Sequence, residues 1–211
     1  MMLALLLAAA APTTAVEAER AFAADAQRLG QWTAFRKWAD PTAVMWTPQA
    51  VWAHDFLKDR KDPAVAVRWQ LSHSWQSCDR RTAVNLGPWS LPGSRGRWIT
   101  LWMRQPSGDW RWTADGQLKP IAPAATRGSL PRVRVASCRN AHLRARQIEA
   151  AYAAPVNRTA PPGDSGFARS ADGTLLFNWT VTGEGVRRTR AQLWTGRRFE
   201  LVHDETTPAV R

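Results

Sequence analysis

The chain has 211 residues, enough for one well-buried core or one domain with an appendage, and a single principal domain is the default. Its formal charge is +12, but only four of the 29 basic residues are lysines, while Arg, Ala, Gly, Pro and Trp are all abundant. That bias fits a GC-rich genome better than a polyanion-binding surface, so no nucleic-acid partner is expected. No serine nucleophile elbow, phosphate loop or metal-ligand spacing occurs, and no cofactor or metal is expected.

The opening run MMLALLLAAAAPTTA is short and apolar, with small residues at Ala9 and Ala11 and again at Thr13 and Ala15. Residues 1–15 read as an export signal, although the run carries no Lys or Arg. It is too short to span a bilayer, and no later stretch is apolar enough to do so. A periplasmic or secreted location follows. In such a compartment Cys78 and Cys138 would form a disulfide; the alternative is a pair of buried thiols, because spacing alone gives no distance between them.

Val16 to Ala39 carries Ala18, Phe22, Ala26, Leu29, Trp32 and Phe35 at three- and four-residue spacing, one apolar helical stripe with Gly30 as a point of division. Asp40-Pro41 ends it. Ala43 to Thr47 is a predicted strand, Pro48-Gln49 a bend and Ala50 to Leu57 a second extended segment. Asp62-Pro63 has the chemistry of a helix start and predicts a short helix to about Gln70. A meander follows: Leu71 to Cys78, a turn at Asp79-Arg80-Arg81, Thr82 to Trp89, then a long hairpin with a Pro-Ser-Gly-Asp turn and a last strand from Trp110 to Asp115.

The N-terminal helix with Phe22 and Leu29, the strand AVMW, and TAVNLGPW followed by RWITLWMRQPSGDWRWTADG resemble the nuclear transport factor 2-like superfamily, in its SnoaL-like branch of enzymes and uncharacterised domains. The resemblance covers about residues 16–119. It implies an α+β cone in which a strongly curved antiparallel sheet wraps the helices around an apolar cavity. In that superfamily ketosteroid isomerase and the SnoaL-type cyclases use a cavity carboxylate as general acid or base, and Asp115 is the match by position. The isomerase's oxyanion tyrosine has no counterpart, since the single tyrosine, Tyr152, lies outside the matched stretch. Asp115 also reads as a turn residue before Gly116. His54 and Asp55, adjacent on a strand, would point to opposite faces.

Beyond Lys119 the pattern changes. Pro120, Pro123 and Pro131 bracket a linker, RVRVASC alternates like an exposed strand, and Asn140 could cap a helix carrying Ala141, Ala145, Ile148 and Tyr152. A second linker, Pro155 to Gly166, precedes a three-stranded meander: Thr174 to Val181, Val186 to Trp194 and Arg198 to His203. Its single apolar face, built from Leu175, Phe177, Trp179, Val181, Leu193, Phe199 and Leu201, needs a surface to dock on. The expected organisation is therefore a signal, a cone at 16–119 and a β appendage at 120–211.

Aromatic content is 9%, but thirteen of the rings are Trp, beside one Tyr and six Phe. On the hairpin Trp98, Thr100, Trp102 and Arg104 share a face opposite Ile99, Leu101 and Met103, and Trp110 shares one with Trp112. The functional reading is a ring-lined cavity that stacks on a small apolar or aromatic ligand, with Trp69, Trp98, Trp102, Arg104 and Trp112 as its candidate residues. The plainer reading is tryptophan as core filler, or as the cover of a homodimer face. A binding protein, an Asp115-dependent enzyme and an interaction module are the three functions left open.

Overall fold

In the computed structural model of the chain, the residues described are 11–119, 130–140 and 163–209. The export signal at residues 1–15 and the helix after Asn140, with Tyr152, fall wholly or largely outside them. No helix among the described residues is long and apolar enough to cross a membrane.

Helix α1 (Ala15–Leu29) starts at Thr14, whose hydroxyl accepts from the backbone N–H of Glu17 while the Glu17 carboxylate reaches back to the Thr14 N–H. This reciprocal box satisfies two otherwise orphaned donors. Ala18, Phe22 and Ala26 are buried along the predicted stripe. Gly30, at φ 107, separates α1 from α2 (Gln31–Trp38). The segment after Asp62 is not helical. Its carboxylate instead accepts from the Thr33 backbone N–H at 3.0 Å and the Thr33 hydroxyl at 2.5 Å, so the capping chemistry serves α2 across 29 residues of sequence.

Strand β1 (Ala39–Trp46) pairs antiparallel with the short β2 (Ala50–Trp52), and the chain then turns into α3 (Ala53–Leu57). The second extended segment thus stops at Trp52, and His54 and Asp55 sit on a helix. After β3 (Arg68–Trp69) come β4 (His73–Gln76), β5 (Thr82–Leu91), β6 (Ser94–Arg104), β7 (Trp110–Leu118) and β8 (Arg132–Val135), in the spatial order β2-β1-β7-β6-β5-β4-β8 with β3 beside β5. The sheet is mixed rather than antiparallel, because β1 lies parallel to β7 and β8 parallel to β4. It is curved without being strongly curled, which corrects the expected wrap-around cone.

The C-terminal meander has a fourth strand. β9 (Ser165–Arg169) precedes β10 (Leu175–Val181), β11 (Arg187–Trp194) and β12 (Phe199–Thr207) in a separate antiparallel sheet. Leu175, Phe177, Trp179, Val181 and Leu193 pack on Val84, Leu86, Ile99 and Leu101 of the central sheet. A register shift between Ala191 and Gln192 turns β12 over, so Leu201 faces solvent and His203 faces in. Three layers result: helices, central sheet, C-terminal sheet. Both faces of the Trp-rich hairpin are therefore covered, the aliphatic one by the C-terminal sheet and the aromatic one by α1 and α2.

Cys78 and Cys138 form a disulfide with their Cα atoms 5.3 Å apart, in keeping with an oxidising compartment. It joins the ends of β4 and β8, two strands of the central sheet, and does not itself staple the C-terminal sheet. That sheet is held by the apolar layer and by bonds beside the bridge, from Cys78 N–H to the Thr174 hydroxyl and from Ser137 N–H to the Trp194 carbonyl, both at 2.8 Å.

Candidate functional site

A cavity of about 490 Å³ opens where α1 and α2, the ends of β1, β5, β6 and β7, and the start of β11 converge. Its wall is rich in aromatic rings: Phe22, Trp32, Phe35, Trp46, Phe56, Trp69, Trp89 and Trp98 line it, with Arg60, Thr100, Asp115 and Arg187 among its polar groups. The volume is that of a small-molecule pocket. Arg60 lies 3.7 Å from the centroid of the Phe56 ring and 5.8 Å from that of Trp32.

Asp115 reaches the cavity because of an irregularity in the hairpin. Regular alternation from Trp112 would turn it to the opposite face, but a register shift after Leu101 sets Trp102 opposite Trp112 while Thr100 stays opposite Asp115. The Thr100 hydroxyl donates to the Asp115 carboxylate at 2.5 Å. Burial pushes the carboxyl up to about 6, against the opposing effects of the Thr100 hydrogen bond and the Arg187 charge.

The other predicted residues divide. Trp69 and Trp98 line the cavity. Trp102 and Trp112 are fully buried among Phe22, Phe35 and Trp38 and do not line it. Arg104 is exposed at the end of β6, where its Nε donates to the Gly108 carbonyl of the hairpin turn. Strand parity put Trp98, Trp102 and Arg104 on one face, but that face runs under the helices for most of its length and only the Trp98 end borders the cavity. His54 and Asp55 do not line the cavity. No cluster of His, Cys, Asp and Glu suited to a metal ion occurs among the described residues.

Two buried charges escaped the sequence reading. Glu19, on α1, is 1% exposed and accepts from the indole N–H groups of Trp69 at 2.8 Å and Trp102 at 2.7 Å and from the Asn85 amide at 3.2 Å. Burial pushes its carboxyl up to about 7; the three donors oppose this and the Asp115 charge adds to it. The signal lay in the stripe itself, since Glu19 stands three residues before Phe22 and four after Ala15 on the inward face. Arg187 opens β11 with the inward parity of Thr189, Ala191 and Leu193, and is 4% exposed. Its guanidinium lies 5.0 Å from the centroid of Trp46 and donates to the Gln117 carbonyl. Burial lowers its pKa to about 10, with Asp115 and Glu205 opposing, so it stays a cation at neutral pH.

No protein-family model matches the sequence, and a comparison with curated proteins finds no match. What the geometry defines is an α+β protein with an aromatic cavity carrying a desolvated acid and a buried cation on its wall.

Proposed function

We propose that the protein binds a small molecule with a flat, apolar body in this cavity. The observation that carries the reading is the wall itself: eight aromatic rings around about 490 Å³, with Thr100, Asp115 and Arg187 as its buried polar groups. The reading accords with the resemblance to the nuclear transport factor 2-like superfamily, whose helices and curved sheet enclose such a space. The order of helices, short strand pair and long hairpin supports that kinship, while the mixed sheet and the added four-stranded layer depart from it. The cation comes from that added layer, so residues beyond 119 belong to the site.

A second reading, an enzyme using Asp115 as general acid or base, is favoured by one observation. A carboxyl held near 6 by burial is poised for proton transfer at neutral pH, whereas an ordinary surface aspartate is not. An assembly face of exposed indoles gains no support, because all thirteen tryptophans are buried or half-buried.

Intrinsic tryptophan fluorescence and thermal unfolding, titrated with a panel of fused-ring and phenyl compounds, test the first reading. A saturable spectral change with a rise in Tm is expected, since a ligand that binds only the folded state stabilises it. A panel with no saturable response would refute it. Asp115→Asn separates the two: binding persists within a few-fold under both, and turnover of a bound compound, where found, vanishes only under the second.

A further inference from the structure

Arg187 is a buried cation on the cavity wall. Among the described residues no carboxylate lies within 4.0 Å of its guanidinium, and its Nε has no acceptor. The two acids whose fields it feels are engaged elsewhere, Asp115 by the Thr100 hydroxyl at 2.5 Å and Glu205 by Arg97 at 2.9 Å. The Gln117 backbone carbonyl and the face of Trp46 are what the guanidinium meets instead. A charge taken out of water on those terms is costly unless something else compensates it.

A purely apolar ligand would leave the Arg187 charge without an ion pair. We propose that the ligand is an amphipathic organic acid, its flat or branched apolar body among the rings and its carboxylate seated against Arg187. This rests on the cavity being a binding site, and it adds the chemical class. Arginine suits the role, since its planar fork meets a carboxylate with two parallel N–H bonds and remains charged when desolvated. It also gives the C-terminal sheet a part in recognition, because β11 delivers the cation into a cavity whose rings come from the helices and the central sheet.

The test uses the full chain at neutral pH and a matched pair of probes, 2-naphthoate and 2-naphthalenemethanol, followed by calorimetry. The acid should bind tighter by roughly 10- to 100-fold, the range of a hydrogen bond to a charged group. Arg187→Met should erase the preference while still binding the alcohol, and Arg187→Lys should keep part of it. Alcohol binding that equals or exceeds acid binding in the unaltered protein overturns the inference and leaves the cavity reading intact. Binding of neither probe, together with silence across the fluorescence panel, overturns both. The comparison of probes on the unaltered chain needs no variant, so it decides even where Arg187→Met fails to fold.

Discussion

Replacing Glu19 by Gln isolates one buried titration. In the folded chain the Glu19 carboxyl is held at about 7, whereas its ordinary value is 4.5. Between those values the folded state keeps a proton that the unfolded state has released, so stability is full below about pH 4.5, falls as pH rises and levels off above about pH 7. Each tenfold step in proton activity across that window is about 1.4 kcal/mol, which gives a total loss of about 3 kcal/mol. Asp115, raised to about 6, acts in the same sense, and His203, lowered to about 4 by burial, in the opposite one. Both occur in the two proteins and cancel to first order in the difference. The introduced glutamine cannot titrate, and its NH2 group replaces one of the two oxygens that accept the Trp69 and Trp102 indole N–H bonds, which costs stability by an amount that does not vary with pH. Urea unfolding at several pH values, followed by tryptophan fluorescence with the disulfide oxidised, gives the free energy by linear extrapolation. The variant should gain about 3 kcal/mol on the parent between about pH 4.5 and pH 7.5, whatever constant offset the amide introduces. A difference that stays flat across that range would show that Glu19 is ionised in the fold, and the reasoning would fail.

Two further outcomes follow from packing and topology. The bridge between Cys78 and Cys138 closes 60 residues, and removing it as Cys78→Ser with Cys138→Ser should cost about 4 kcal/mol in chemical denaturation. Alkylation without reductant should label no thiol in the parent, and two labelled thiols would contradict the bridge. A Cβ on Gly116 would lie 2.4 Å from Cε3 of Trp46, whose ring is itself braced by Trp179 at 5.6 Å and by Arg187. Gly116→Ala should therefore cost about 1–3 kcal/mol of stability and disturb ligand binding together, because the ring that must move also lines the cavity. An unchanged Tm with unchanged binding would mean that Trp46 has room that the geometry denies it.

Local signals were legible in the sequence. The stripe on α1, the break at Gly30, the Asp79-Arg80-Arg81 turn and the long hairpin all emerged from spacing and turn chemistry, because neighbouring residues decide them. Non-local choices were not. Nothing in AVMW says that β1 will lie parallel to β7, and nothing in RVRV says that it will join β4. Asp62 has the same capping chemistry whether it serves its own segment or α2, and only the tertiary fold selects the second. β9, with the sequence SGFAR, lacks the alternation that reveals a strand and exists because β10 offers it an edge. At the site, parity placed Trp98 correctly, while Asp115 reached the same face through a register shift that no pattern announces. Arg187 and Glu19 were passed over for a different reason: each is a charge at an inward position, which pattern reading discounts as a surface residue.

The excess of tryptophan over tyrosine and phenylalanine also has a structural account, and it weakens the idea of simple core filler. Phenylalanine cannot donate, and the indole N–H groups of Trp38, Trp69 and Trp102 satisfy the buried carboxylates of Asp25 and Glu19. Those of Trp98 and Trp194 cap the carbonyls of Pro88 and Arg139. Three other indoles lie across strand glycines, Trp89 on Gly96, Trp46 on Gly116 and Trp179 on Gly166, each so close that a Cβ there would come within 2.7 Å of the ring. Such a pair lets a broad ring lie flat along a neighbouring strand, where a side chain would otherwise hold it off. Among the described residues four indole N–H groups are buried without an acceptor, and they fall in two places. Those of Trp110 and Trp112 are packed in the core beneath the helices, where no ligand reaches them. Those of Trp46 and Trp89 belong to rings that line the cavity, yet each ring lies over a strand glycine, Gly116 and Gly96, and its N–H is closed off from the open space, so of the buried donors here only Arg187 brings a charge to the wall.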